Sequence, residues 1–301
     1  MKRASHILMI RPVKFGYNKQ TAETNSFQNS SNDLEFDLIQ KNAIKEFDFF
    51  VDKLKSSLIN ITLFEDTETP HTPDSIFPNN WISFHNNNSI VIYPMFAENR
   101  RHEIRYDIVN QLKKGNTTII DFSEYSIKNI FLEGTGSIVF DYENKIAYAN
   151  ISSRTNKILL EKLCKEISFT TISFSALNEN KNIIYHTNVL MSIGYGFAIL
   201  CLETIVDIGE QKKVIDSLKN TGHEIIEIDY HQMNCFAGNI YQLFNSKNES
   251  YIVMSEQAFF SLNERQIKKI EHFGKIIHSP LYTIEKYGGG GARCMIADIR
   301  F

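Results

Sequence analysis

The strongest chemical signal in the chain is a cysteine that follows a run of four glycines near the C-terminus. Cys294 comes shortly after Gly288–Gly291, seven residues before the end of the chain. Glycine has no side chain, so such a run lets the backbone approach a bound molecule closely while the thiol faces it. No Lys-Ser/Thr pair follows the run, which argues against a phosphate-binding loop. The pattern predicts a nucleophilic cysteine.

A cysteine nucleophile needs a base, because a thiol is mostly protonated at neutral pH. His186 has the chemistry for that role, and Glu133 could orient its ring. If these groups activate Cys294, its pKa should be low, and an alkylating probe should modify it faster than the remaining cysteines. We expect those in the core: Cys164, Cys201 and Cys235. The other polar residues that the surrounding apolar segments do not explain are Asp74, Asn79, Asn80 and Asn188.

The elements that must position these residues follow a repeating order of β-hairpin, helix and β-run. Apolar spacing predicts helices over 35–57, 100–114, 155–168, 208–221 and 262–273. Each is followed by a run rich in β-branched or aromatic residues, at 59–64, 117–122, 170–174, 224–228 and 275–278. In the third helix, Ile158, Leu159, Leu163 and Ile167 are predicted to share a face. The asparagine-rich stretch 18–33 is predicted to be a long loop.

The hairpins recur at a nearly constant interval. Their predicted starts are separated by 51 to 56 residues and fall at Asn80, Gly136, Asn188, Asn239 and Cys294. Five such units indicate an α/β fold with a closed pseudo-fivefold array of ββαβ-type units, in one domain spanning 1–301. The last unit has only one strand, so a first strand over 6–13 would complete it. Ordinary α/β connectivity without symmetry is the alternative.

Composition narrows the class of partner. The 301 residues carry a net charge of −3, which argues against broad binding to nucleic acid or anionic membranes. The four cysteines form no CxxC pair and give no zinc signature, a pattern typical of a reducing compartment. The apolar run 7–10 is too short for a signal peptide. We expect a cytoplasmic protein that acts on a small molecule, with a homo-oligomer left open.

The motifs together resemble the guanidino-modifying enzymes, a superfamily that includes dimethylarginine dimethylaminohydrolases, arginine deiminases and amidinotransferases. The motifs that carry this resemblance are 74–80 (DSIFPNN), 100–103 (RRHE), 132–134 (LEG), 153–156 (SRTN), 186–188 (HTN) and the segment ending at Cys294. The resemblance implies the five-bladed α/β-propeller, or pentein, fold. The N-terminal pattern and 236–239 (FAGN) are most similar to the amidinotransferase-like or citrulline-utilisation hydrolase (citrulline ureidase) branch. That N-terminal pattern is Arg11-Pro12, Phe15, Asn18, Thr21-Ala22, Asn25 and Phe27-Gln28.

The resemblance also implies roles for individual residues. Cys294 would be the nucleophile, His186 the general acid and base, and Glu133 its carboxylate partner. No metal or organic cofactor is implied.

The same resemblance implies how an amino-acid substrate would be held. Arg154 and Arg100 would bind its α-carboxylate, a role that suits the bidentate guanidinium. Arg101 could replace Arg100, and the sequence does not separate the two. Asp74 would approach the α-amino group. Arg105 fits a solvated helix face.

The chain departs from the superfamily pattern in a way that bears on the substrate. Enzymes that bind a cationic guanidinium typically carry carboxylates where this chain has Asn80 and often Asn79, and arginine deiminases carry another where it has Asn188. A ureido group is neutral and offers both donors and an acceptor, which amides match. This favours hydrolysis of citrulline to ornithine, carbon dioxide and ammonia through a thiocarbamate. The alternatives are an arginine-directed deiminase or amidinotransferase, and a non-catalytic pentein binding protein.

Overall fold

Five three-stranded sheets of one design form the protein, seen in a computed structural model that describes residues 4–22, 24–25, 27–28 and 35–301. In each sheet the first two strands are antiparallel and the third is parallel to the second. The sheets, in strand order, are β3-β4-β5, β6-β7-β8, β9-β10-β11, β12-β13-β14 and β15-β1-β2. The strands are β1 (His6–Arg11), β2 (Asn60–Glu65), β3 (Ile82–His85), β4 (Ser89–Ile92), β5 (Thr118–Asp121), β6 (Val139–Asp141), β7 (Ile146–Asn150), β8 (Thr170–Phe174), β9 (Met191–Gly194), β10 (Phe197–Leu200), β11 (Glu224–Glu227), β12 (Tyr241–Phe244), β13 (Ser250–Ser255), β14 (Lys275–Ser279) and β15 (Ala297–Ile299).

A segment containing a helix joins the second and third strand of each sheet, because a parallel pair needs a long crossover. The helices of the described residues are α1 (Lys19–Ala22), α2 (Phe36–Ser56), α3 (Glu98–Arg101), α4 (Tyr106–Leu112), α5 (Gly134–Ser137), α6 (Lys157–Ile167), α7 (Thr187–Leu190), α8 (Ile208–Asn220), α9 (Tyr230–Asn234), α10 (Glu256–Ser261), α11 (Glu264–Phe273) and α12 (Tyr282–Gly288). Short 3₁₀ turns are Pro78–Asn80, Ser123–Lys128, Leu202–Thr204 and Ala292–Met295. The predicted fold class, an α/β array of five ββαβ units, is confirmed.

The fifth sheet combines both ends of the chain. β1 lies in its middle, antiparallel to β15 and parallel to β2, with His6 opposite both Ile299 and Asn60. The first strands of neighbouring sheets also pack together: β15 contacts β3, and β9 contacts both β6 and β12. The five sheets are therefore arranged as blades with their first strands innermost, which brings distant parts of the sequence to one centre.

The corners that precede the first strands differ from expectation. We predicted strands starting directly at the corner residues, but four corners form a single helical turn first: Pro78–Asn80, α5, α7 and Ala292–Met295, which we call the corner turns. Local backbone bonds close them, as from Ser137 N–H to Glu133 O at 3.0 Å and from Cys294 N–H to Gly291 O at 3.1 Å. Corner turns contact one another, Pro78–Asn80 touching both α5 and Ala292–Met295, and α5 touching α7. Side chains from four blades therefore meet at one end of the array.

One predicted helix, one predicted helix face and one predicted loop need correction. The helix expected over 100–114 is broken into α3 and α4, where Glu103 turns back to pair with Arg100. In α6, Ile158 is 77% exposed and Leu160 is buried instead, since Leu160 lies three residues before Leu163 and so continues the apolar stripe. The stretch 18–33 contains α1, while 23, 26 and 29–33 lie outside the described residues.

Side-chain caps mark the starts of α6 and α11. The Asn156 side chain accepts from Leu159 N–H at the start of α6, and Asn263 forms a reciprocal capping box with Gln266 at the start of α11. Their apolar faces pack on the sheets and exclude water between the blades. Within the described ranges, no helix is long and apolar enough to cross a membrane.

Candidate active site

Cys294 lies in the last corner turn, directly after the glycine loop that we define as Gly288–Gly291. Its side chain is only 6% exposed. Gly289 has φ +68°, a left-handed conformation that favours glycine. A Cβ on Gly290 would lie 2.9 Å from the Phe77 ring and 3.1 Å from Cys294 Cβ. The loop therefore passes so close to the thiol that a side chain would not fit.

Two amides from neighbouring corners donate to the thiol. Asn188 Nδ2 lies 3.3 Å and Asn239 Nδ2 3.2 Å from Cys294 Sγ. Asn239 also donates to Asn188 O at 2.9 Å, which ties the two corners together. Sequence alone singled out Asn188 but not Asn239. The position of Asn239 at the start of the fourth repeat unit was the signal that could have found it. Among the described atoms, neither Oδ1 has a hydrogen-bond partner.

His186 and Glu133 meet as the sequence predicted, although their catalytic roles stay predictions. They precede α7 and α5, and His186 Nε2 lies 2.7 Å from Glu133 Oε2. The second carboxylate oxygen accepts from Phe96 N–H at 3.0 Å. Both side chains are buried. Because Nε2 is engaged by the carboxylate, Nδ1 is the ring nitrogen left for proton transfer.

The charge states of these groups follow from burial and their partners. Burial lowers the pKa of His186 to about 4, although Glu133 opposes the shift. Burial alone would raise the pKa of Glu133, but Arg154 and His186 hold it well below its usual range. Burial raises the pKa of the Cys294 thiol, and the bond from Asn239 offsets this only in part. The low thiol pKa expected from sequence is therefore wrong, because the thiol is too dry to ionise easily.

Asn80 and His186 approach each other around Gly136. A Cβ on Gly136 would lie 2.4 Å from Asn80 Nδ2 and 2.7 Å from His186 Nδ1. Only glycine allows both polar groups to occupy this space. The amide nitrogen and imidazole Nδ1 therefore face one small chamber beside Gly136.

Arg100 and Arg101, which the sequence could not separate, point to different places. Arg100 is 3% exposed and makes paired 2.8 Å bonds to Glu103, while its Nη1 donates to Asn80 Oδ1 at 2.9 Å. Arg101 instead donates to the backbone carbonyls of Met95 and Phe96. The structure thus brings Arg100, but not Arg101, to the site. Glu103, which sequence reasoning did not single out, holds the Arg100 fork in place.

Arg154 crosses the site beside the imidazole. Its Nη1 lies 3.5 Å from Glu133 Oε2, and Nη2 donates to Thr21 O at 2.9 Å. Its guanidinium carbon lies 4.7 Å from the centre of the Tyr185 ring. The side chain also donates to Thr24 Oγ1. The positive charge of Arg154 is therefore shared between the Glu133 carboxylate and the segment containing α1.

Asp74 and Asn79 have different surroundings. Asp74 Oδ2 accepts from Asn18 Nδ2 at 2.7 Å and lies 3.7 Å from Arg100 Nε, while Oδ1 has no partner among the described atoms. Burial raises the pKa of Asp74, with Arg100 opposing. Asn79 is fully buried, and neither polar atom of its side chain is bonded within the described residues. It supports the site through its carbonyl, which accepts from Thr135 Oγ1 at 3.3 Å.

One cavity of about 20 Å³ unites these groups. Predicted site residues that line it are Asp74, Asn80, Arg100, Arg154, His186 and Cys294. Glu133 and Asn188 do not line the cavity themselves, but they are hydrogen-bonded to His186 and Cys294, which do. Asn79 and Arg101 do not line it either. The volume suits a single water, so an amino acid can enter only if the walls move. Among the residues that the structure covers, no cluster of three or more His, Cys, Asp or Glu side chains is placed to hold a metal ion.

The blade architecture, with a cysteine, a histidine–glutamate pair and arginines at its centre, defines the class of protein. This is the pentein superfamily of guanidino-modifying hydrolases, as predicted. More particularly, the chain belongs to the family described as N,N dimethylarginine dimethylhydrolase, eukaryotic, whose model matches residues 11–301. The citrulline-utilisation branch stays a prediction. No curated protein sequence matches the chain.

Solved structures share the fold at low sequence identity. ArgZ, an arginine dihydrolase from the ornithine-ammonia cycle in cyanobacteria, has a TM-score of 0.77 at 16% identity, over 98% of this chain and 40% of its own. The substrate-bound N-terminal domain of ArgZ has a TM-score of 0.76 at 16% identity, over 98% of both chains. DDAH from Pseudomonas aeruginosa, in complex with citrulline, has a TM-score of 0.67 at 16% identity, over 99% of this chain and 100% of its own. This chain thus spans well under half of full-length ArgZ, and these likenesses show the fold alone.

Proposed function

We propose that the protein is a cysteine-dependent hydrolase of the ureido C–N bond of citrulline, which it converts to ornithine, carbon dioxide and ammonia. The proposal is more specific than the family, whose members modify guanidino or ureido groups. It rests on the hydrogen-bonding character of the groups around the thiol, above all on the orientation of one amide.

The orientation of the Asn80 side-chain amide is the observation that favours citrulline over arginine as the substrate. Arg100 Nη1 can only donate, so its 2.9 Å contact identifies the bonded atom of Asn80 as Oδ1. Nδ2 is then the atom left for a ligand, and it has no partner among the described atoms. A guanidinium has only N–H donors and would face this donor with another. A ureido carbonyl oxygen accepts, so it fits.

The other amides complete the match to a neutral group. Asn188 and Asn239 place neutral N–H donors, and no carboxylate, at the thiol. Asp74 is the one carboxylate among the residues lining the cavity, and it is already engaged with Asn18 and near Arg100. Binding a neutral ureido group therefore leaves no buried cation unpaired at the thiol.

The amino-acid end of the substrate would be held by the charged groups on the same cavity. Arg100 and Arg154 are proposed to bind the α-carboxylate, and Asp74 the α-amino group. All three line the cavity, which supports this assignment. Each arginine already has protein partners, so its remaining N–H groups would serve the carboxylate.

The first half of the reaction forms a covalent intermediate. Cys294 Sγ attacks the ureido carbon while its proton passes to His186 Nδ1, and the C=O electrons move to the oxygen. The Asn80 N–H would stabilise that oxyanion. Collapse expels one nitrogen as an amine, which takes the proton from His186, and leaves a thiocarbamate on Cys294. Glu133 stabilises the transient imidazolium.

The second half regenerates the thiol. His186 removes a proton from water, which attacks the thiocarbamate carbon, and Cys294 leaves and is reprotonated. The carbamic acid that is released decomposes to carbon dioxide and an amine. Whichever nitrogen leaves first, the sum is citrulline plus water to ornithine, carbon dioxide and ammonia.

Arginine hydrolysis is the second candidate, for two reasons. ArgZ, which shares the fold, is an arginine dihydrolase. In addition, burial raises the pKa of Cys294, and a bound guanidinium cation would counter that effect by favouring the thiolate.

A product assay with citrulline, arginine, agmatine and methylated arginines separates these candidates. We expect equal amounts of ornithine and ammonia from citrulline, lost in Cys294→Ala and retained in the control Cys235→Ala, whose side chain does not line the cavity. Turnover of arginine and none of citrulline would refute the substrate. Wild-type turnover by Cys294→Ala would refute the mechanism. If none of the four kinds of substrate were turned over, the result would favour a non-catalytic binding protein.

Three further expectations stay proposals. Residues 1–301 would act as one catalytic domain, the protein would work in the cytoplasm, and it would assemble as a homo-oligomer if it assembles at all. Size-exclusion chromatography with light scattering tests the last of these.

A further inference from the structure

Tyr185 lines the cavity at Cys294, yet the proposed reaction gives it no role. Its side chain is only 5% exposed. The hydroxyl contacts the glycine loop, and the ring contacts both His186 and Arg154. A single side chain that touches all three parts of the site can set their positions relative to one another.

The hydroxyl of Tyr185 holds the glycine loop. It donates to Gly289 O at 2.8 Å in a buried hydrogen bond. Burial raises the pKa of Tyr185, and the nearby Cys294 adds to the rise, so the hydroxyl keeps the proton that it donates. The next residue, Gly290, is the one whose added Cβ would lie 3.1 Å from Cys294 Cβ. The bond therefore fixes the loop one residue before the loop reaches the nucleophile.

The ring of Tyr185 forms one side of the space that Arg154 occupies. The guanidinium carbon of Arg154 lies 4.7 Å from the centre of this ring and 5.7 Å from the centre of the Phe96 ring. The faces of aromatic rings attract guanidinium cations. The ring centres of Tyr185 and His186 are 4.6 Å apart. The ring of Tyr185 thus holds the Arg154 guanidinium beside the imidazole.

We propose that Tyr185 is a positioning residue with two separable roles. Its hydroxyl keeps the glycine loop against the Cys294 thiol, and its ring orients Arg154 for the α-carboxylate of the substrate. The second role rests on the proposed function, whereas the first does not. Loss of the hydroxyl should admit water to the thiol, and loss of the ring should weaken substrate binding.

Alkylation of Cys294 by iodoacetamide tests the first role without any turnover. Tyr185→Phe keeps the ring and removes the bond to Gly289. Because burial raises the pKa of the Cys294 thiol, a thiol that water reaches ionises more readily. At pH 8 the variant should therefore be alkylated at Cys294 at least about threefold faster than the wild type, as followed by peptide mass spectrometry.

Tyr148→Phe is the matched control for the loss of a tyrosine hydroxyl. Tyr148 is fully buried and its hydroxyl lies 2.7 Å from Ser217 Oγ, but it does not line the cavity. Its variant should lose a comparable hydrogen bond and keep the wild-type rate of Cys294 alkylation.

Steady-state kinetics test the second role, with whichever member of the substrate panel is turned over. Tyr185→Phe should lower kcat about fivefold or more and leave KM within about twofold, because the loop loses one buried hydrogen bond while the ring stays on Arg154. Tyr185→Leu also removes the ring, so KM should rise by about 2- to 30-fold, as expected for a lost cation–π contact. Tyr185→Met provides the same comparison if the leucine variant does not fold. A role in core packing alone would lower the folded fraction and leave KM unchanged.

Specific results would overturn each role. Wild-type alkylation of a folded Tyr185→Phe, or an equal rise in Tyr148→Phe, would show that the hydroxyl does not hold the loop at the thiol. An equal KM in Tyr185→Phe and in the variants without the ring would show that the ring does not orient Arg154. If no member of the panel were turned over, the proposed function and the second role would both be wrong, and the alkylation rates would still decide the first.

Discussion

Replacing Asn80 by Asp reverses the hydrogen-bonding character of one buried position while keeping its shape. In the wild type Oδ1 accepts from Arg100 Nη1 at 2.9 Å, and Nδ2 is left for the ligand. In Asn80→Asp one oxygen keeps the bond to Arg100 and the other presents a lone pair where the N–H was. The new charge lies against Arg100, which already pairs with Glu103, so we expect the variant to fold.

The magnitude follows from the burial of this side chain, which is 3% exposed and therefore beyond the reach of bulk water. The citrulline carbonyl would lose a hydrogen bond and be left unsatisfied, a cost of about 2–4 kcal/mol, or roughly 30- to 1000-fold in kcat/KM. A guanidinium would gain a charge-assisted bond of about 1.5–3 kcal/mol, or roughly 10- to 150-fold. The preference between the two substrates should thus shift by several orders of magnitude toward arginine.

The assay is kcat/KM for citrulline and for arginine, measured by ammonia release, with citrulline and ornithine identified as products. Asn80→Ala is the matched control, because it removes the donor without adding a charge. It should weaken citrulline turnover and leave arginine turnover unimproved. Citrulline turnover by Asn80→Asp within about threefold of wild type, a loss far below that of one buried hydrogen bond, would refute the role assigned to this amide.

Three other perturbations test the same site. Glu133→Gln removes the carboxylate that lies 2.7 Å from His186 Nε2, so steady-state kinetics should show kcat reduced by about 10²- to 10⁴-fold. Gly136→Ala places a methyl group 2.4 Å from Asn80 Nδ2 and 2.7 Å from His186 Nδ1, so it should abolish turnover and lower the unfolding free energy by about 1–3 kcal/mol in denaturant titration. In a pH profile, kcat/KM should fall on the acid side near pH 4, because His186 becomes protonated there. On the alkaline side it should fall only above the ordinary pKa range of a thiol, because Cys294 then loses the proton that the leaving group needs.

A specific result would contradict each of these three expectations. Glu133→Gln with wild-type kcat would show that the buried pair is structural, and Arg101→Lys, whose side chain does not line the cavity, serves as a control with unchanged kinetics. A fully active Gly136→Ala would mean that Asn80 and His186 do not share one chamber during turnover. An acid limb near pH 6.5 would mean that His186 keeps an ordinary pKa in the working enzyme.

The repeat could be predicted from sequence because spacing is a property of the chain itself. Amphipathic helices such as α6 and α8, and the β-runs after them, recur at a fixed interval, and this was enough to place Cys294, His186 and Glu133 at one centre. The orientation of side chains in short elements could not be predicted from this spacing. α3 has only four residues, too few for an apolar period to show whether Arg100 or Arg101 faces inward, although consecutive helical residues point about 100° apart.

Properties that depend on how deeply a side chain is buried in the folded protein could not be predicted from the sequence either. The spacing of Asn239 resembles that of the other corners, but only the folded chain shows its amide 3.2 Å from the thiol. The thiol pKa was predicted in the wrong direction for the same reason. A sequence shows that a histidine exists, while the dryness of the site, which outweighs the donors around Cys294, is a property of the packed blades.

A protonated thiol beside a neutral imidazole has consequences for the choice of substrate. A guanidinium cation would help Cys294 to ionise, but it would find a donor at Asn80 and would lie beside His186 at the moment that residue gains a proton. A neutral ureido group gives no such help. Its attack therefore needs His186 to be uncharged at rest, as its low pKa ensures, and needs Glu133 to stabilise the imidazolium that forms. Each of these requirements is met by a side chain already in place, whereas efficient binding of arginine would require an acceptor that Asn80 does not offer.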